Sequence, residues 1–288
     1  MATDCSLGEG LHWHPSSASM YFVDIRGACV HAYCLTNRHL RTWSLPEPVG
    51  WVIAGPDPDY FVVGLKNGFA LSTFRSEPTV HWIKKIDHGL SSIRLNDAKA
   101  DAAGRIWAGT LDDVDNPKLV GSLFCLDVDG SLKTVDTGYG IANGPAISPD
   151  SKLFLHTDSS RRIIYAFDLD VSCGALSSKR IWKVLSDDEG YPDGMTFDAR
   201  GNLWLAHWGA GLVSQYSPSG VLLRRVELPA SNVSNVAFGG KDLDRIFVTT
   251  ARYGLTEKQR HEEPLSGGLF EITKHDSIGL LPSTSCRR

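Results

Sequence analysis

The sequence holds almost nothing that reads as a helix: no stretch keeps apolar residues at i, i+3, i+4 and i+7 over a useful length. No apolar run approaches the ~20 residues of a membrane helix. The opening residues, MATDCSLGEG, carry no basic region followed by an apolar one, so no secretory signal is legible and a cytoplasmic location is expected. Lys and Arg never run longer than two, and the net charge is −4 with a pI near 6.2. That leaves no stripe for nucleic acid. The six cysteines form no C-x-x-C pair, which argues against a zinc knuckle and for buried or idle thiols. There is no G-x-S-x-G elbow and no Gly-rich phosphate loop, so nothing points to a serine nucleophile or a bound nucleotide.

What is present is short β-rich runs. Met20–Val23, Tyr60–Val63, Arg105–Ala108, Lys152–Leu155, Asn202–Leu205 and Arg245–Val248 mostly follow turns rich in Gly, Pro, Asp or Ser. With hydrophobic residues at 42% and charged ones at 22%, the chain can bury a core without staples. Aligned, the runs reveal one unit: a leading residue, a weakly apolar strand, a polar turn and a strongly apolar strand. The leaders are Glu9, Gly50, Asn96, Asn143, Asp193 and Asn235, spaced by 41, 46, 47, 50 and 42 residues. An aromatic follows each leader by 11 or 12 positions: Tyr21, Phe61, Trp107, Phe154, Trp204 and Phe247. Strand repeats of about 40–50 residues are the signature of propeller blades. Strand spacing alone would also permit a β-sandwich, but the six-fold phase of the leaders favours an all-β, six-bladed propeller. No linker interrupts the pattern, so residues 1–288 are expected to form one domain, and a closed ring with few free edges is expected to be a monomer.

Equivalent positions in a propeller meet around one axis. Asn, Asp and Gly are common at strand starts for backbone reasons alone, which accounts for Gly50 and adequately for Asn235. It accounts poorly for the whole set. Glu9, Asn96, Asn143, Asp193 and Asn235 would crowd polar oxygens at one mouth of the channel, and the two carboxylates would repel unless a cation offset them. Such ligands suit Ca²⁺, Mg²⁺ or Mn²⁺, with Zn²⁺ or Fe²⁺ plus water also allowed.

Six ordered segments also carry a family resemblance: LGEGLHWHP at 7–15, RLNDAKADAAGRIWAGT at 94–110, GSLFCLD at 121–127, ANGPAISPD at 142–150, YPDGMTFDARGNLWLAHWGAG at 191–211 and FVTTARYGL at 247–255. The chain resembles the regucalcin (senescence marker protein)–gluconolactonase family of six-bladed propellers, and most of all its bacterial branch acting on pentonolactones. The resemblance implies one divalent metal held by Glu9, Asn143 and Asp193. It also implies substrate contacts from Arg94 and Asn96, with Asp113 as the counterpart of a substrate-touching Glu. The sequence departs from the family at Leu11, where a Pro is usual. The stretch before Glu9 is short for a closing strand, leaving ring closure to the C-terminal segment or to a trimmed start.

The chemistry that follows is metal-assisted opening of a sugar lactone (xylono-, arabino-, galactono- or glucono-lactone) to the aldonic acid. Asp193 is the expected general base, with a metal-bound hydroxide as its rival. Asp24 and Asp158, both 15 past their leaders, should return to the same mouth as substrate contacts or turn caps. Tyr191, Trp208 and Tyr253 are expected to line the pocket, with core packing as the alternative for Trp208; His12, His14 and His207 read as packed, with a proton shuttle as the alternative for His207. Two other functions fit the same residues. One is a calcium-binding or scaffold propeller with little catalysis; the other is hydrolysis of a different ester by the same metal.

Overall fold

The computed structural model describes residues 1–115 and 117–286. The expected span of 1–288 also takes in residues 116, 287 and 288, which lie outside the described residues. Five antiparallel sheets of four strands and one of three succeed one another along the chain. Their inner strands are Gly8–His14, Val49–Ala54, Ile93–Ala100, Ala142–Ile147, Tyr191–Phe197 and Val233–Gly239. Each inner strand touches the inner strands on both sides, and the sixth touches the first. The sheets therefore form a closed ring of six blades, as the repeat predicts.

The hairpin turns explain why the repeat is legible. In blade 3 the Asp101 carboxylate accepts from the backbone N–H of Ala103 (2.9 Å) and Arg105 (3.0 Å), and Gly104 takes the left-handed backbone the turn requires. Its second oxygen accepts from Trp107 Nε1 at 3.1 Å. Blade 5 repeats the device: Asp198 accepts from Arg200 and Asn202 N–H and from Trp204 Nε1. One carboxylate thus shapes the turn and anchors the phased tryptophan. The six phased aromatics are all buried, and those of neighbouring blades meet: Tyr21 against Phe61 at 4.7 Å, Trp107 against Phe154 at 5.1 Å between ring centres.

Both chain ends contribute to the ring, and not as expected from the C-terminal segment alone. Blade 6 has three regular strands, the last being Leu269–Ile272. The N-terminal residues run beside that strand. Met1 N donates to Leu269 O (2.6 Å), Leu269 N to Met1 O (2.9 Å), and Thr3 Oγ1 and Cys5 N to Gly267 O. The short stretch before Glu9 thus pairs with the last strand of blade 6 through a few backbone and side-chain bonds. The C-terminal segment instead crosses the opposite face. Gly279 N bonds Leu243 O, Ser285 N bonds Ala54 O and Cys286 N bonds Gly104 O, joining blades 6, 2 and 3. The expected scarcity of helix holds, except that residues Glu257–Glu262 form one short α-helix capped by Thr256. Among the described residues no helix is long and apolar enough to cross a membrane.

Candidate active site

In every blade the pairing between inner and second strand slips at or beside the leader. A bulge bends the strand and re-aims its side chains, so an alternating strand can turn successive residues toward one axis. Gly10 (φ 60°) and Gly144 (φ 72°) follow Glu9 and Asn143 directly and take backbone conformations that a side chain would strain. The five polar leaders are all buried.

Hydrogen bonds link them in two groups that face each other across the axis. Arg94 Nη1 donates to Asn96 Oδ1 (2.8 Å), and Asn96 Nδ2 donates to Asn143 Oδ1 (3.0 Å). Asn143 Nδ2 donates in turn to Asp193 Oδ1 and to Ser159 Oγ. Across the axis, Asn235 Nδ2 donates to Glu9 Oε2 at 3.0 Å and reaches Asp97 Oδ2 at 3.5 Å. The structure therefore brings together Glu9, Arg94, Asn96, Asn143 and Asp193. Asp113 stands beside them, but both of its oxygens are taken: Oδ2 by Arg94 Nε (3.0 Å) and Oδ1 by Arg26 Nη2 (2.8 Å). Arg94 is buried, and its ion pair with Asp113 lies at the cavity wall.

The electrostatics are those of crowded acid. Burial, then the Asp193 and Asp97 carboxylates, push Glu9 well above the usual carboxylate range. Burial, then Asp97, do the same to Asp193. Burial raises Asp97 to about 6. Below them in the channel lies the Lys99 ammonium, itself lowered by burial. Among the described residues no three His, Cys, Asp or Glu side chains group tightly enough to hold an ion by themselves. Any cation site here must draw on amide oxygens. Asn235 Oδ1 is buried without a partner, and Glu9 and Asp193 receive only neutral donors. An orphaned amide oxygen beside two buried carboxylates, neither of which is in a direct ion pair among the described residues, fits a hard divalent cation.

Above the ring opens a cavity of about 590 Å³ walled by Arg26, Leu111, Ser160, Tyr191, Trp208 and Tyr253 as well as the site residues. That volume suits a small organic ligand. Tyr191, Trp208 and Tyr253 line it as the sequence suggests. Asp24 and Asp158 prove to be turn caps. Asp24 accepts from the N–H of Ser6, Leu7 and Gly27, and Asp158 from Gly140, Ile141, Ser160 and Arg161. His12 accepts from Ala54 N, and His207 Nδ1 meets Glu189 O, so both are packed. Sequence reasoning missed Asp97, Lys99, Ser159 and Arg26. Asp97 is adjacent to a leader, where alternation turns it away; only the bulge brings it to the axis.

A second cavity of about 390 Å³ lies at the other end of the channel, walled by Gly10, His12, Lys99, Ser148, Leu280 and Ser283 among others.

Comparison with known proteins agrees with this geometry. Residues 7–252 match the family described as the SMP-30/Gluconolactonase/LRE-like region. The chain is 36% identical to the pentonolactonase XacC of Haloferax volcanii over 86% of this chain and 83% of the relative. It is 32% identical to the regucalcin of Xenopus laevis over 96% of this chain and 94% of that one. A solved luciferin-regenerating enzyme superposes with a TM-score of 0.91 at 30% identity, covering 98% of this chain and 96% of the other. A six-bladed ring whose leaders converge beneath one cavity, and a family match running through most of its length, place this chain in the SMP-30/gluconolactonase family.

Proposed function

We propose that the protein is a divalent-metal-dependent lactonase that opens sugar aldonolactones to aldonic acids. The observation that carries this reading is the convergence of Glu9, Asn143 and Asp193 at the floor of the cavity, with Arg94 and Asn96 beside them. Glu9, Asn143 and Asp193 would hold the ion, of which Ca²⁺, Mg²⁺, Mn²⁺, Zn²⁺ and Fe²⁺ are candidates. What a bound cation supplies there is Lewis acidity toward the lactone carbonyl and a lower pKa for water.

The chain's own residues do the rest. Asp193 takes the proton from water as it attacks: it is a carboxylate at the cavity floor, raised well above its ordinary range by burial and then Asp97. Arg94 Nη1 donates to Asn96 Oδ1 at 2.8 Å, and Asn96 Nδ2 is held by Ala142 O and Asn143 Oδ1, so the Arg94 guanidinium meets a sugar oxygen as a preorganised charged donor with Asn96 fixing its place. Trp208, Tyr191 and Tyr253 offer apolar faces to the sugar ring. The pentonolactonase relative, aligned over most of both chains, points to five-carbon lactones.

The test is lactone hydrolysis followed by pH-stat on metal-stripped protein, with each cation restored singly, using xylono-, arabino-, galactono- and glucono-lactone. Activity should return with at least one cation and fall by about 10²-fold or more in Asp193→Ala. No rate above spontaneous ring opening under any cation would leave a binding or scaffold protein. In that case Asp193→Ala would change thermal stability and nothing else.

A further inference from the structure

Asp113, expected to touch substrate, lines the cavity with its two oxygens each accepting from an arginine. One of these arginines, Arg26, belongs to no motif of the sequence. We propose that Arg26 is a substrate-binding residue that selects among lactones by donating hydrogen bonds to oxygens on the exocyclic tail of the sugar. The inference rests on the lactonase reading above and adds a specificity determinant to it.

Arg26 is built to stay where it is. It sits in the turn after the second strand of blade 1, where Ala28 N closes onto Ile25 O. Asp24 clamps that turn by accepting from Gly27 N, and its other bonds tie it to Ser6 and Leu7. A Cβ on Gly27 would lie 2.7 Å from Asp24 Oδ2, so the clamp depends on glycine there. From this fixed base the side chain crosses to blade 3, where Nη2 meets Asp113 Oδ1 at 2.8 Å. Its guanidinium lies over the ring of Tyr253, 3.9 Å from the centre, in the loop after the second strand of blade 6. One side chain thus joins three blades.

The reason for the span is a gap. The top hairpin of blade 2 has only Lys66 and Asn67 between its strands, and no residue of blade 2 lines the cavity. Arg26 walls that sector. A guanidinium carries five N–H donors and no acceptor. One is spent on Asp113, and among the described residues no other acceptor meets the group. The remaining donors edge the cavity, and the side chain keeps 32% of its surface exposed. Arg94, by contrast, is 5% exposed and lies at the floor with Asp193. A lactone with its carbonyl near Asp193 therefore presents its far end to Arg26. The oxygens available at that end are those of the exocyclic carbons.

The discriminating experiment compares a five-carbon 1,4-lactone, which carries a hydroxymethyl tail, with a four-carbon 1,4-lactone, which carries none. Steady-state constants are measured for wild type, Arg26→Ala and Arg26→Lys, with thermal melts to confirm folding. The expected result for Arg26→Ala is a KM about tenfold or more higher on the tailed lactone, with kcat within about twofold and the tailless lactone unaffected. Arg26→Lys should restore only part of the loss, because an ammonium cannot bond Asp113, stack on Tyr253 and donate to a tail at once. Equal changes on both lactones, or a loss confined to kcat and melting temperature, would mean that Arg26 merely props the wall, and would overturn the inference. No change on either lactone overturns it too. A wild-type protein that opens neither lactone removes the lactonase reading itself, a result separate from any behaviour of the variant.

Discussion

Two buried histidines show how far a single residue can depart from its ordinary chemistry. Burial pushes His12 and His156 down to about 3, with the other charges near them secondary. Neither ring nitrogen of His156 has a partner, and the ring packs edge-on against Tyr139. A histidine whose folded value lies below its unfolded value of 6.5 stabilises the fold above that pH. Its contribution is lost as pH falls from 6.5 toward about 3. His156→Phe should therefore flatten the acid side of the stability curve over that window by about one proton, ~1.4 kcal/mol per pH unit, as read by urea melts. An unchanged slope would mean that the imidazole is solvated or protonated in the fold. At this scale the sequence was a partial guide. Glu9, Asn143, Asp193, Asn96 and Arg94 were legible because they recur in phase or in motifs. Asp97 and Lys99 were not, because their place at the axis depends on a bulge that strict alternation does not foresee. Arg26 was not legible because nothing local distinguishes it from a surface arginine.

The element that matters most is the inner strand. Five leaders supply polar side chains, and the sixth is glycine. A Cβ on Gly50 would lie 2.4 Å from the carbonyl oxygen of Asn96 in the next blade. Backbone on one side and a bulged strand on the other leave no room to yield. Gly50→Ala should displace the strand carrying Asn96, lowering stability by about 1–3 kcal/mol and depressing lactone turnover together. Full stability with lost turnover would point instead to a direct role for that backbone in the reaction. The backbone reading of Gly50 made from sequence is thus given a cause, namely the close approach of the neighbouring strand. The blades themselves were legible because each hairpin uses the same parts, an acidic or polar turn residue and a phased aromatic. The helix at Glu257–Glu262 was not, being too short for an apolar stripe to form.

Over the whole molecule, the ring is closed at its edge by the N-terminal residues and strapped underneath by the C-terminal ones. That division was not readable from the sequence, because backbone ladder bonds need no side-chain signature. The axis is filled between the two cavities. They share no wall residue, and Glu9, Asp97, Asp193 and Asn235 lie buried at the ring between them. The upper cavity is consequently a room with one door. Lactone and acid cannot pass in sequence through the barrel, and traffic runs both ways across the same threshold beside Arg26 and Tyr253. Added aldonate should then inhibit competitively against its own lactone, each molecule of acid keeping the next substrate waiting outside; a noncompetitive pattern would mean that acid and lactone can be held at the same time, against a single shared room.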